Sequence, residues 1–320
     1  MENNLTKEPC EQILEKGAKH QILIDLAKEL PPIPTAVVHP TDRYGILGAV
    51  DAYASNLIVP ILVGPESKIR TVADTERIDI SPFTIVNTKH SHEAAERSVE
   101  MVRKGQVQAL MKGSLHTDEL MSAVVHKDLG IRTERRMSHV SAMDVPRVSR
   151  VLFVSDAAIN IYPDLLDKQS ITQNAIDLTH ALGIETPKVA VLSAVETITP
   201  KIPSTLEAAS LCKMTDRGQI TGAIVDGPFA FDNAISAEAA QIKGIRSEVA
   251  GHADIFIVPD LEAGNMLVKM LTYMADAQMA GIVLGARVPI ILNSRSDNNL
   301  ARMASCALAE LYALNRKTNL

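Results

Sequence analysis

The residues best suited to chemistry lie at 288–297, where the apolar run Val-Pro-Ile-Ile-Leu gives way to Asn-Ser-Arg-Ser-Asp. Ligands of open α/β sheets bind beyond the carboxyl ends of parallel strands, where the next helix offers unpaired N–H groups and the positive end of its dipole. Arg295 adds a permanent charge on a planar fork that fits phosphate, and Ser294 can donate to a developing oxyanion. Ser296 or Asp297 could instead cap the last helix, but a cap needs no arginine.

Four other segments place polar groups where strands should end. Met111-Lys112-Gly113-Ser114-Leu115-His116-Thr117 reads as strand, glycine turn and helix start, setting Lys112 and the amides around Gly113 toward phosphate or pyrophosphate. Ser155 to Asn160 ends a strand with Asp156 and Asn160. Asp226-Gly227-Pro228, with Asp232 following, ends another, although turn chemistry alone accounts for the glycine and proline. Pro259 to Lys269 runs from a strand into a small-residue helix start, with Gly264 permitting close approach and Asn265 and Lys269 one helical turn apart.

Short β-rich runs alternating with helical segments must hold these groups. The strands are expected at Thr35–Val38, Leu57–Val63, Thr84–Val86, Ala109–Met111, Val151–Val154, Val189–Leu192, Ala223–Val225, Ile255–Val258 and Val288–Leu292. Pro60 marks its strand as an edge or a bulge. Helical spacing covers Glu262–Gln278 and a final helix through Leu300, Met303, Ala304, Ala307, Leu308 and Leu311. This is an α/β chain with mostly parallel sheets. A polar, proline-bearing boundary at Asp144-Val145-Pro146-Arg147 divides it into a first α/β domain, 1–143 plus 297–320, and a second, 144–296. The last helix returns to the first domain and leaves the Ser-Arg strip at an interdomain cleft.

With 320 residues, 46% of them hydrophobic, and a mean hydropathy of +0.08, the chain can bury a substantial core. A net charge of −6 without a basic run argues against nucleic acid. No apolar leader follows Met1-Glu2-Asn3-Asn4 and no stretch reaches membrane-spanning length, so the expected location is cytoplasmic with no membrane partner. Cys10, Cys212 and Cys306 are too scattered for a disulfide framework, and no metal-ligand spacing is present. Cys306 falls on an apolar-rich helix, which suits a buried thiol better than a nucleophile.

Taken in order, Met111-Lys112-Gly113, Gly130-Ile131-Arg132-Thr133, Asp156-Ala157-Ala158-Ile159-Asn160, Asn174-Ala175, Pro200-Lys201-Ile202-Pro203, Asp226-Gly227-Pro228 with Asp232-Asn233-Ala234, Pro259-Asp260 with Ala263-Gly264-Asn265, and Ser294-Arg295 resemble the phosphate acetyltransferase/phosphate butyryltransferase family from about residue 35 onward. The resemblance implies two three-layer α/β domains on a scaffold like that of isocitrate and isopropylmalate dehydrogenases, and a homodimer with the second domain at the dimer interface. It implies acyl-CoA + phosphate ⇌ acyl phosphate + CoA for short acyl groups, with no metal and no resident cofactor, coenzyme A being substrate or product. Ser294 and Arg295 would bind and stabilise the acyl phosphate. Lys112, Gly113, Arg132, Asp156, Asn160, Asp226, Asp232, Asn265 and Lys269 would contact substrate.

Two departures from the acetyl branch stand out. The carboxylate expected seven residues after the serine is Ala301 here, and an arginine expected near Thr272-Tyr273 is missing. Asp297 is then the candidate base for the CoA thiol, since Ser-Arg-x-Asp and the Leu271 to Ala277 run resemble the butyryl branch. An NAD- and metal-dependent hydroxy-acid dehydrogenase on the same scaffold, or a catalytically silent acyl-CoA-binding protein, are the alternatives.

Overall fold

The computed structural model describes residues 15–292 and 297–318, and within them short apolar runs become strands and the capped segments between them helices. In chain order these are α1 (Ala18–Lys28), β1 (Ile33–Val38), α2 (Arg43–Ala54), β2 (Ile58–Gly64), α3 (Glu66–Glu76), β3 (Thr84–Asn87), α4 (Ser91–Arg103), β4 (Ala109–Lys112), α5 (Thr117–Val125), β5 (Ser138–Asp144) and β6 (Leu152–Ser155). There follow α6 (Leu165–Ala181), β7 (Lys188–Leu192), α7 (Pro203–Asp216), β8 (Ile224–Phe229), α8 (Phe231–Ile235), α9 (Ala237–Ile242), β9 (Ile255–Ile257), α10 (Leu261–Met274), β10 (Gln278–Leu284), β11 (Ile290–Ile291) and α11 (Asn299–Thr318).

The chain divides into two compact units. One comprises His20–Arg135 and the chain from Ala280 onward. Its strands lie in the order β3-β2-β1-β4-β11-β10, all parallel except β10, which runs against β11. Both faces of this sheet are covered, which is why Val37, Val38, Leu62, Leu110 and Ile290 form near-continuous buried runs rather than alternating ones. Asp42 caps α2 by accepting the Gly45 amide at 2.8 Å.

The other unit comprises Arg136–Met279 with the chain up to Lys19. Its strands run β5-β6-β9-β7-β8, with β5 antiparallel to β6 and the rest parallel. Phe256, Val154, Leu192, Val249 and Val268 belong to its core. Within this unit Lys19 Nζ and Asp144 Oδ1 form a buried ion pair at 2.6 Å. The Lys19 ammonium also donates to the Val145 carbonyl at 3.0 Å.

The structure departs from the sequence expectations at several points. The division falls at Arg136 and Ala280 rather than at 144 and 297, because β5 pairs with β6 through Ser141↔Val154 and cannot be separated from it. Strands β5 and β10 were not expected. Ser138–Asp144 is wholly buried yet reads Ser-His-Val-Ser-Ala-Met-Asp, and Met/Ala/Gly in Gln278–Leu284 continue the apparent helix of Glu262–Gln278, which ends at Met274. Strand β2 is an interior strand. Its Pro60 is tolerated because pairing with β3 begins only at Ile61.

Candidate active site

Strand β11 precedes the Ser-Arg strip in the chain, and its Ile291 pairs in parallel with Met111 of β4. The chain therefore leaves β11 at the same sheet edge at which β4 presents Lys112 and Gly113. Ser294 and Arg295 themselves, with Asn293 and Ser296, lie outside the described residues. Among the described residues, the parallel strand β11 ends before them and α11 begins after them.

The first turn of α11 is built by residues the sequence reading did not single out. Asn298 Oδ1 accepts the Ala301 amide at 2.8 Å, so Asn298, rather than Asp297, is the N-cap. Arg302, one turn further on, donates from Nη1 to the main-chain carbonyl of Asp297. Asp297 is half-buried.

Gly113 is required by its surroundings. A Cβ there would lie 2.5 Å from the Val38 carbonyl oxygen and 2.7 Å from that of His39. Its amide donates to Val38 at 2.9 Å, and the Ser114 hydroxyl donates to the His39 carbonyl at 2.7 Å while accepting from the Thr41 amide at 2.8 Å. The turns after β1 and β4 are thus welded together and hold Lys112 at the sheet edge. His39 itself takes a left-handed φ of 54°, and burial, aided by Lys68, lowers its pKa.

Arg132 is not brought to that edge. It follows the C-terminal end of α5 and bridges Ala286 just before β11, at the edge where β4 and β11 start.

In the other unit Asp156 and Asn160 serve each other. The Asp156 carboxylate accepts from the amides of Ala158 (2.8 Å), Ile159 (3.1 Å) and Asn160 (3.2 Å) and from Asn160 Nδ2 (2.6 Å). Asn160 also donates to the Met137 carbonyl at 2.8 Å and accepts from Arg136 Nε at 2.7 Å. Both side chains are buried and spent on the loop after β6. Gly264 lets α10 pack on that loop, since a Cβ there would meet Val258 Cγ2 at 2.7 Å and Ala157 Cα at 3.1 Å. Asn265 donates to the Ala157 carbonyl at 3.3 Å, while Lys269, one turn on, is exposed.

Asp226 is not at a strand end. Strand β8 continues to Phe229, and Asp226 pairs with Ala190 mid-strand, its Oδ1 accepting the Gly227 amide at 2.8 Å. Asp232 is exposed, 3.7 Å from Lys243 Nζ.

Cys306 is fully buried, and burial with the nearby Glu310 pushes its thiol up to about 12. That is not a nucleophile's environment. Burial likewise lowers the His139 pKa against the opposing charge of Asp156. Among the described residues no group of three or more His, Cys, Asp or Glu side chains is placed to share a metal ion.

A family model described as Phosphate acetyl/butaryl transferase matches residues 92–309. The chain belongs to that family. A phosphate acetyltransferase of Rhizobium meliloti is 57% identical over 94% of this chain and 95% of its own length. A phosphate butyryltransferase of Clostridium acetobutylicum is 44% identical over 91% of this chain and 96% of its own. The crystal structure of a branched-chain phosphotransacylase from Enterococcus faecalis V583 is 28% identical, with a TM-score of 0.77 over 88% of this chain and 99% of that one. As a member of the phosphate acetyl/butyryltransferase family the chain is an acyltransferase, and the dehydrogenase and silent-binder alternatives are not favoured. The lean toward the butyryl branch is weak, because the acetyl-named relative is the more similar of the two.

Proposed function

We propose that this phosphate acyltransferase interconverts acyl-CoA and phosphate with acyl phosphate and CoA for two- to four-carbon acyl groups, acetyl included. Its 57% identity with a phosphate acetyltransferase along nearly its whole length carries the reading. The shared sheet edge of β4 and β11 is consistent with it.

In the direction of thioester synthesis, CoA sulfur attacks the carbonyl carbon of the acyl phosphate, the bond from that carbon to the phosphate oxygen breaks, and phosphate leaves. A free thiol is mostly protonated at neutral pH, so a base must take its proton, and Asp297 is the group we assign. Ser294 stabilises the carbonyl oxygen as it gains charge, and Arg295 neutralises the departing phosphate. No acyl-enzyme is needed. Coenzyme A enters and leaves as substrate and product, with no resident cofactor. Lys112, fixed by the welded turns, adds positive charge at the same edge, and Asn265 and Lys269 offer polar contacts on α10.

We further propose a cytoplasmic homodimer. Met266, Met270, Tyr273 and Met274 recur at helical spacing on α10 and are 54–83% exposed, an apolar face suited to a second copy.

Thiol release from acetyl-, propionyl- and butyryl-CoA, measured with and without phosphate and in the presence of a chelator, tests the activity. Phosphate-dependent release that survives chelation supports it, and equal release without phosphate overturns it. Solution mass tests the dimer.

A further inference from the structure

The edge of the β4/β11 sheet opposite Lys112 and Gly113 carries a second concentration of positive charge. Here the C-terminal end of α4, the loop after α5 and the β10–β11 connection surround an open cavity of about 600 Å³. Its size is in the range of small-molecule sites. Arg103, Lys104, Lys127, Arg132 and Arg287 line it, against the carboxylates of Glu100 and Asp128. Glu100 is already neutralised, with Lys104 at 2.5 Å and Arg97 closer still, so its carboxyl is held below the usual range. Arg103, Lys127, Arg132 and Arg287 make no ion pair among the described residues. On a chain of net charge −6 this is a local reversal of sign.

The helix dipoles explain part of it. Arg103 and Lys104 end α4 and Lys127 follows α5, where cations offset the negative helix ends. Arg132 and Arg287 lie on no helix. Their segments are joined by backbone, through the Arg132↔Ala286 bridge and the Arg287 amide donating to the Ile131 carbonyl at 2.9 Å, and both residues line the cavity. Thr133 Oγ1 ties the same pair of segments by donating to the Gly285 carbonyl at 2.6 Å. The wall between them is rigid. Gly130 and Ile131 donate to the carbonyls of His126 and Val124, each at 2.9 Å, and a Cβ at Gly130 would come within 2.4 Å of both carbonyl oxygens. Two guanidinium groups carried on braced backbone and lining one cavity can each offer a planar bidentate grip to phosphate oxygens.

We propose that this cavity is a second anion site, separate from the catalytic edge, which takes a ligand carrying two linked phosphoryl groups. One phosphoryl group is held by Arg132 and Arg287, and the next by Arg103 and Lys127. The site does not depend on which acyl group the enzyme transfers, and binding rather than turnover reads it out.

Titration calorimetry on the intact protein, with pyrophosphate, ADP and inorganic phosphate as probes, tests the proposal. Pyrophosphate should bind at least tenfold more tightly than phosphate, and more weakly as salt is raised. The double variant Arg103→Ala/Arg287→Ala should lose at least tenfold in that affinity while basal acyl transfer and melting temperature hold. Lys127→Ala, on an exposed loop, gives a milder loss should the double variant prove unstable. Equal affinity for pyrophosphate and ADP marks the diphosphate as the part recognised, and tighter ADP marks a nucleotide. No pyrophosphate binding at millimolar concentration, phosphate bound as tightly as pyrophosphate, or affinity unchanged in both variants would overturn the proposal.

Discussion

Asn298 Oδ1 meets the Ala301 amide at 2.8 Å, so the residue after Asp297 caps α11. This separates two roles that the sequence left superimposed. Asp297→Asn should leave the melting temperature unchanged, lower turnover at neutral pH, and recover part of it as the pH approaches the ordinary thiol pKa of about 8.5. Asn298→Ala should do the reverse, costing about 1 kcal/mol of stability with turnover largely kept. Normal turnover and pH profile in Asp297→Asn would remove Asp297 from the reaction.

Arg295→Ala should cost tenfold to a hundredfold in activity, the worth of charge-assisted bonds of roughly 1.5–3 kcal/mol to phosphate. Arg295→Lys keeps the charge but loses the fork, and its activity should fall between the two. Ser294→Ala should act on kcat more than on the KM for phosphate, because its bond strengthens as charge develops on the carbonyl oxygen. Steady-state rates of purified, folded variants decide this, and wild-type rates would place the chemistry elsewhere.

How far the sequence could be read follows from what each position must satisfy. Buried parallel strands such as β1 and β4 announce themselves as apolar runs, because covered sheet faces demand them. Strand β5 did not, since its Ser138, His139 and Ser141 are satisfied by bonds that no pattern forecasts: Asn174 Nδ2 reaches Ser138 at 2.9 Å, and His139 Nδ1 lies 3.2 Å from Ser141. The ordered strings located the family, but not the duties of their members. Asp156 and Asn160 look like ligand contacts in sequence, whereas the hydrogen bonds they make in the structure brace the loop after β6. Arg302 and Asn298 carried no signal, since an arginine or asparagine near a helix start is ordinary.

The loop bracing makes its own prediction. Asp156→Ala removes an acceptor of four bonds and leaves buried donors unpaired, each costing about 1–3 kcal/mol. A loss of roughly 3 kcal/mol or more in denaturant unfolding is expected. Asn265→Ala, which removes a single long, part-buried bond to Ala157, should change stability by less than about 1 kcal/mol. If Asp156→Ala instead unfolds like the wild type and raises KM, the carboxylate binds substrate.

Cys306→Ala should keep its turnover, because a thiol pushed up to about 12 supplies almost no thiolate at working pH. Incubation with a thiol reagent should leave Cys306 unmodified in the native protein, as mass spectrometry can read. Lost activity in a folded Cys306→Ala would revive a covalent route.

Glu310 lies in the same helix, fully buried, with neither carboxyl oxygen bonded to another described group. Burial raises its pKa from 4.5 to about 9. Below about pH 4.5 the carboxyl is neutral in both folded and unfolded chains and costs no ionisation. As pH rises from there, the unfolded chain releases a proton that the folded one keeps, so stability is lost progressively until about pH 9 and then levels off. The most this can amount to is about 1.4 kcal/mol per pH unit, and relaxation around the site will leave less. Glu310→Gln is isosteric and cannot ionise. It should therefore be more stable than the wild type by roughly 1–3 kcal/mol near pH 8, with the advantage shrinking toward pH 5. Urea midpoints at those two pH values measure it. A variant less stable than the wild type at both would mean that the carboxyl is held by a group the buried geometry does not reveal.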